Sequence, residues 1–269
     1  MLLTTMTAIV DSGWRAAKVV ENIVVRFRIV SSFAIAGVGL LSMQCAQGEP
    51  RAVIELFTSQ GCSSCPPADK LAAEYAHDPS VVMMSLAVDY WDYLGWKDTL
   101  ALSGHTSRQR AYAKVRGDRQ VYTPQAVIDG AVHAVGSDKA AIEQAIRKER
   151  EQASPLTLPV TMSLDGDKLT VTVPASKDEK GQAEVWLCPI TKSVPVKIER
   201  GENSGHTLTY TNVVRRWIKL GDWSGKAETF DVPVKDFQTG QIDSAAVVVQ
   251  SGVTSAPKLM LGAAQIAIK

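Results

Sequence analysis

The hydrophobic pattern of the first half of the chain predicts alternating strands and helices. Continuous apolar runs from Ala52 to Phe57 and from Val81 to Val88 are typical of strands buried on both faces of a sheet. Between them, apolar residues recur at helical spacing from Ala68 to Tyr75, and the segment from Asp98 to Val115 is also predicted to be mostly helical. This part of the chain therefore follows the order strand, helix, strand, helix.

A hairpin and a last helix complete this half. Gln125 to Ile128 is a short strand that ends at Asp129-Gly130, a dipeptide that favours a tight turn, and Ala131 to Val135 continues on its far side. Ser137-Asp138 are favourable N-cap residues for the following helix. We therefore predict an α/β domain over residues 49–152, with the order β-α-β-α-β-β-α and a central mixed sheet.

The second half of the chain changes to a period of two. Apolar residues alternate from Leu156 to Leu164 and from Leu169 to Val173, with Asp165-Gly166-Asp167 as the turn between them. Further short strand candidates follow toward the C-terminus. The change of pattern predicts a second, antiparallel β-sandwich-like domain over residues 153–269.

Residues 1–48 have the character of a leader and signal peptide. Arg26 and Arg28 precede the apolar run from Ile29 to Met43, and small residues then suit cleavage after Gly48. A run of 15 residues is short for a membrane span. We therefore predict export, to the periplasm or the medium, with membrane attachment only if this segment is retained.

Composition and charge narrow the range of partners. The chain has 45% hydrophobic residues, which excludes disordered and fibrous classes. Its formal net charge is +1 and it carries no basic block, so nucleic acid is not a predicted partner.

The candidate chemistry lies in the pair Cys62 and Cys65, where the first strand ends and the first helix begins. Cysteines separated by two residues can form a disulfide, and a helix start lowers the pKa of a thiol. The pattern favours a redox-active disulfide over two alternatives, a structural disulfide and half of a zinc site. Cys188, in an apolar strand, is predicted to be a buried free thiol.

Neither a metal nor a cofactor is predicted. The sequence contains no second C-x-x-C pair. Its histidines show no ligand spacing; they are His77, His105, His133 and His206.

Two motifs carry a resemblance to a known superfamily. Phe57-Thr58-Ser59-Gln60-Gly61-Cys62-Ser63-Ser64-Cys65 resembles the glutaredoxin form of a thioredoxin-superfamily active site. Thr123-Pro124-Gln125-Ala126-Val127-Ile128-Asp129-Gly130, followed by Gly136-Ser137-Asp138, resembles the cis-proline loop, the next strand and the turn into the last helix. At whole-chain level the sequence also resembles an uncharacterised family of secreted thioredoxin-like proteins.

The superfamily resemblance covers Ala52 to Glu151 and implies a thioredoxin fold. It implies that Cys62 attacks a substrate disulfide, that Cys65 resolves the mixed disulfide, and that Thr123 and a cis Pro124 support the site. The implied activity is that of a thiol-disulfide oxidoreductase. Its partners would be protein thiols or disulfides and a redox recycling partner, with the direction of exchange left open.

The resemblance is incomplete around the cysteines. Thioredoxin usually has Trp before its first active cysteine and Gly-Pro between the pair, whereas this chain has Gly61 and Ser63-Ser64. A redox potential therefore does not transfer. The competing hypothesis is a non-catalytic binding module with a structural disulfide on a thioredoxin-like scaffold.

Two further features near the motif each have two interpretations. Glu55 is either a buried proton acceptor for Cys65 or a residue that forms a strand-edge salt bridge or is solvated. The aromatic cluster after the second strand is either a wall of a substrate groove or a satellite core. That cluster consists of Tyr90, Trp91, Tyr93 and Trp96.

Overall fold

The computed structural model describes residues 49–152, 155–177 and 181–268. The leader and signal peptide predicted over residues 1–48, with cleavage after Gly48, lies outside the described residues. Over the described ranges, no helix is both long and apolar enough to cross a membrane.

The first half of the described chain alternates strands and helices, as the apolar periodicity predicts. Its elements are β1 (Ala52–Thr58), α1 (Pro66–Ala76), β2 (Val81–Ala87), a 3-10 turn (Asp92–Leu94), α2 (Ser103–Arg116), β3 (Gln125–Ile128), β4 (Val132–Val135) and α3 (Lys139–Gln152). Pro66 and Pro67 occupy the first turn of α1, where backbone amides have no partner within the helix to lose.

The second half consists mainly of strands. Its elements are β5 (Thr161–Asp165), β6 (Lys168–Val173), β7 (Ala183–Lys197), β8 (Thr207–Val214), β9 (Ile218–Trp223), β10 (Glu228–Pro233), the short helix α4 (Val234–Phe237), β11 (Ser244–Val253) and β12 (Ala256–Ala267). The long strand β7 includes Pro189 and Pro195.

The strands of the described residues form a mixed sheet of nine members and a separate sheet of three. The large sheet has the order β12-β11-β7-β8-β2-β1-β3-β4, and β9 also pairs with β7. Strand β1 is parallel to β2 and antiparallel to β3, while β7, β11 and β12 pair antiparallel. The protein is therefore a mixed α/β protein with a central mixed sheet and additional antiparallel strands.

The predicted boundary at residues 152 and 153 does not separate two sheets. Strand β8 lies beside β2, with Ser85 opposite Val213, so β7, β8, β11 and β12 extend the sheet of the first half. The prediction of a separate β-sandwich-like domain is corrected on this point. Sheet-on-sheet packing does occur, because Leu169 and Val171 of the small sheet share a core with Val247 of the large one.

The two faces of β1 pack against different helices. Val53 and Phe57 lie in one core with Tyr112 of α2, whereas Ile54 and Leu56 lie in another core with residues of α1 and α3. This alternation follows from the two-residue period of a strand. The loop that follows β1 contains both cysteines and leads directly into α1.

Candidate functional site

Cys62 and Cys65 form a disulfide in the loop between β1 and α1. Their Cα atoms are 5.4 Å apart. Cys65 is the N-cap residue of α1, and its backbone N–H donates to the carbonyl of Cys62 at 3.2 Å. The sequence prediction that the pair lies at a strand-to-helix junction is therefore confirmed.

The disulfide is covered. Cys62 is 2% exposed and Cys65 is 0% exposed, although Ser63 and Ser64 between them face solvent. The segment 198–206 between β7 and β8, which we call the β7–β8 loop, contacts the backbone of the cysteine turn. The Asn203 side-chain amide donates to the backbone carbonyl of Gln60 at 2.9 Å and to that of Cys62 at 3.0 Å.

The β7–β8 loop makes a second contact with the cysteine turn. The backbone N–H of Ser63 donates to a carboxylate oxygen of Glu202 at 3.3 Å. Gly201 and Gly205 flank Asn203 with φ values of +81° and +83°, a left-handed conformation that glycine adopts at little cost. The loop thus brings Asn203 and Glu202 to a motif that lies about half the chain away.

The Thr123–Pro124 peptide bond is cis, as the resemblance of the motif implies. The Pro124 carbonyl accepts a hydrogen bond from the backbone N–H of Gly136 at 2.9 Å. A Cβ at Gly136 would lie 2.6 Å from Cδ1 of Leu56 and 3.0 Å from Cβ of Pro124, so glycine allows this close approach. Gly136 therefore packs closely against both β1 and the proline loop.

Two of the four predicted aromatic residues contact the motifs directly. The Trp91 indole N–H donates to the Thr123 hydroxyl at 2.8 Å, and Cβ of Trp91 would lie 3.1 Å from a Cβ placed on Gly61. The Trp96 indole N–H donates to the Gln60 side chain at 2.8 Å. Trp91 therefore links the cysteine turn to the proline loop.

The other two aromatic residues differ in their surroundings. Tyr90 is partly buried beside Trp91, with ring centroids 6.3 Å apart, and packs against the core shared by β1 and α2. Tyr93 is 80% exposed, and its neighbour Leu94 is also exposed. The cluster is thus divided between a core contribution and an apolar surface close to the site.

Glu55 takes part in a buried salt bridge. One carboxylate oxygen accepts from Nε of Arg108 at 2.6 Å, and the other accepts from the Tyr112 hydroxyl at 2.6 Å. Because side chains alternate along β1, Glu55 shares the face of Val53 and Phe57, which is turned away from α1. The salt-bridge interpretation describes its contacts, and the proposed role as proton acceptor for Cys65 has no contact to support it.

Asp69 is a buried acidic residue of α1, four residues after Cys65. The motif analysis did not select it. It lies one helical turn after Cys65 and accepts a hydrogen bond from the Thr58 hydroxyl at 2.8 Å. Its second oxygen is buried and has no partner among the described residues. Burial raises the pKa of Asp69 to about 7, and the nearby carboxylate of Asp98 adds to the increase.

Asp98 holds the cysteine turn from the other side. Its carboxylate accepts from the backbone N–H groups of Gln60 and Leu100, both at 2.8 Å. Burial raises the pKa of this carboxyl group as well. The backbone of the turn is therefore fixed by Asp98 on one side and by Asn203 on the other.

The remaining candidates do not form a metal centre. Among the described residues, no group of three or more His, Cys, Asp or Glu side chains could hold a metal ion. His105 is buried, and burial lowers its pKa to about 4. Cys188 is a buried free thiol, as predicted, and burial raises its pKa.

Together, the fold and the site define a mixed α/β protein with a buried disulfide at the N-terminal end of a helix. The chain belongs to the family described as "Protein of unknown function (DUF1223)", whose model matches residues 53–250. The match begins in β1 and continues past residue 152, so the family unit includes strands from both halves.

One solved structure is similar over most of its length. It is the crystal structure of protein AGR_C_4864 from Agrobacterium tumefaciens, with 32% identity and a TM-score of 0.73, covering 82% of this chain and 95% of that one. Hypothetical protein PH1083 from Pyrococcus horikoshii OT3 gives 8% identity and a TM-score of 0.21, covering 44% of this chain and 91% of that one. No curated protein matches the chain.

Proposed function

We propose that this protein is an exported thiol-disulfide oxidoreductase with a thioredoxin-like fold. The observation that carries the proposal is the disulfide between Cys62 and Cys65 at the N-terminal end of α1, on a turn linked through Trp91 to the Thr123-Pro124 loop. The strand order β2-β1-β3-β4 supports a thioredoxin-like arrangement, since β2 is parallel and β3 antiparallel to β1.

The exchange begins from the reduced pair. The Cys62 thiolate attacks one sulfur of a substrate disulfide, a mixed disulfide forms, and the other substrate sulfur leaves as a thiolate that takes up a proton. Cys65 then loses its proton, attacks the Cys62 sulfur and releases the second substrate thiol. The substrate gains two electrons, the Cys62–Cys65 disulfide forms again, and a dithiol recycling partner restores the reduced pair.

Two features of α1 support these proton steps. The positive end of the helix dipole favours a thiolate in the turn that precedes the helix. Asp69, one turn into the same helix, supplies a buried carboxyl group whose pKa of about 7 suits transfer of a proton near neutral pH. We propose Asp69, whose backbone N–H donates to the Cys65 carbonyl at 3.1 Å, as the proton acceptor for Cys65, rather than Glu55, which lies on the other face of β1.

We expect access to the sulfurs to require movement of the β7–β8 loop. Cys62 is 2% exposed, and Asn203 donates to its carbonyl. Opening of this loop breaks two side-chain hydrogen bonds of a kind that contributes about 1 kcal/mol each to stability. The exposed residues Tyr93 and Leu94, near the same turn, supply apolar surface for an extended peptide substrate.

The second candidate function is a binding module, and the burial of both sulfurs favours it. A buried disulfide resists exchange, so Cys62–Cys65 would then only brace the start of α1. The exposed side chains of Tyr93 and Leu94 would carry the binding activity. This candidate predicts a full chain that binds a partner without any thiol requirement.

A trapping experiment separates the two candidates. In a full-length Cys65→Ala, Cys188→Ala protein, Cys62 is the remaining described cysteine, and it cannot be released from a mixed disulfide. We expect insulin with intact disulfides, offered as substrate, to form a covalent complex with this protein that dithiothreitol cleaves by reduction. The Cys62→Ala, Cys188→Ala protein is the matched control, and absence of a complex with both proteins would favour the binding module.

A further inference from the structure

A cavity of about 630 Å³ lies apart from the cysteine turn. It is open to solvent on one side and is lined by one face of α2, by Trp186 of β7, by Trp217 just before β9, and by the turn between β11 and β12. A volume of this size is within the range of small-molecule sites. None of the residues that line it belongs to the cysteine turn or to the proline loop.

The interior of the cavity is aromatic and its walls are fixed. Trp186 and Trp217 meet edge to face, with ring centroids 6.1 Å apart and planes inclined by 75°. The Arg108 guanidinium lies 4.1 Å from the Trp217 ring centroid, and the Trp186 indole N–H donates to Glu184 at 3.3 Å. A ligand would therefore meet a preformed apolar surface and would not have to order it.

The charges around the cavity leave a positive rim. Arg108 is paired with Glu55 at 2.6 Å, and Glu184 accepts from Lys219 at 2.9 Å, so these charges are compensated within the protein. Arg110 and Lys114 are exposed, stand four residues apart on α2, and belong to none of the ion pairs formed by the described residues. They can therefore form ion pairs with an anionic ligand.

We propose that this cavity binds an amphipathic organic anion, with its flat apolar body against Trp186 and Trp217 and its acidic group at Arg110 and Lys114. The aromatic interior recognises the body, and the two cations recognise the charge. The site is independent of the thiol chemistry, because its lining contains neither cysteine of the pair. A negative result for either proposal would therefore not affect the other.

Two fluorescent probes that differ in a single charged group test the site. Anilinonaphthalene sulfonate carries a flat apolar body and one sulfonate, and phenylnaphthylamine is its neutral counterpart. With the full-length protein we expect the sulfonate to bind about tenfold more tightly than the neutral probe, the gain expected from charge-assisted contacts. Equal affinities, or no binding up to the solubility of the probes, would overturn the proposal.

Three variants locate the binding. Arg110→Gln with Lys114→Gln should weaken the sulfonate about tenfold and leave the neutral probe unchanged. Ser107→Trp, which fills the cavity from an exposed helix position, should abolish binding of both probes. Lys177→Gln with Lys235→Gln removes two exposed cations elsewhere and should leave the affinity for both probes unchanged. An equal loss of sulfonate affinity in this control, or retained binding in Ser107→Trp, would contradict the assignment.

Discussion

At the scale of single residues, Asp69 best illustrates how a site can be partly read from sequence. The position falls four residues after Cys65 and three before Ala72, on the buried stripe of an amphipathic helix. A carboxyl group on such a stripe is a signal that pattern analysis could detect. Glu55, also a buried acid, instead pairs with Arg108, because strand alternation directs it to the opposite face of the sheet.

Substitution of Asp69 by Asn should change how stability depends on pH. The folded-state pKa of Asp69 is about 7, against an ordinary value of 3.8, so the stability contributed by the protonated form is lost as pH rises toward 7. Asn cannot ionise. Relative to the wild type, Asp69→Asn should therefore gain up to about 4 kcal/mol in the free energy of unfolding between pH 4 and pH 8.

Urea denaturation at both pH values measures this difference. The exposed residue Asp236 offers a matched control, and Asp236→Asn should show a difference close to that of the wild type. A stability difference between Asp69→Asn and the wild type that stays constant across this range would contradict the assigned ionisation.

At the scale of elements, the hydrogen bonds of the β7–β8 loop to the cysteine turn predict that this loop limits access to the disulfide. Loss of the Asn203 amide removes two hydrogen bonds to the cysteine turn, which together contribute roughly 2 kcal/mol. Asn203→Ala should therefore be reduced by dithiothreitol roughly 10 to 30 times faster than the wild type. Alkylation of the released thiols, followed by mass spectrometry, gives the rate.

Ser204→Ala is the control for this loop. The Ser204 hydroxyl donates to the Glu199 carbonyl at 2.8 Å, a contact that stays within the loop. We expect Ser204→Ala to change the rate much less than Asn203→Ala does. Equal rates for Asn203→Ala and the wild type would mean that the loop does not limit access.

A second element-scale prediction concerns the turn between β4 and α3. A methyl group at Gly136 would collide with Leu56 and Pro124, so Gly136→Ala should lower the free energy of unfolding by about 1–3 kcal/mol. A Cβ on Gly104 in α2 would have open space around it, so Gly104→Ala should not lower the free energy of unfolding. Thermal unfolding of the two variants provides the comparison.

At the scale of the whole molecule, local pattern and long-range pairing differ in how well they can be predicted. The cis peptide bond at Pro124 is what the resemblance of its motif implies, and the strands and helices around the cysteines follow from residues close together in sequence. The junction of β2 with β8 and the contact of Asn203 with Cys62 do not, because they join residues more than a hundred positions apart. Alternation predicts a strand, but it does not specify which sheet edge the strand joins.

The continuous sheet predicts a single unfolding transition for the described chain. Val53 and Phe57 from the first half share a core with Ile190 and Val248 from the second, so neither half can bury its apolar surface alone. Urea unfolding followed by tryptophan fluorescence and by far-UV circular dichroism should give coincident midpoints. Two separated transitions would indicate independent domains, as the sequence pattern had suggested.

The most direct test of the central claim is catalysis of insulin disulfide reduction by dithiothreitol. We expect the full-length protein to accelerate the reaction over dithiothreitol alone, and Cys62→Ser to abolish the acceleration. Cys188→Ser should remain active, because that buried thiol takes no part in exchange. A rate with the wild type no faster than with Cys62→Ser would contradict a redox role for the Cys62–Cys65 pair.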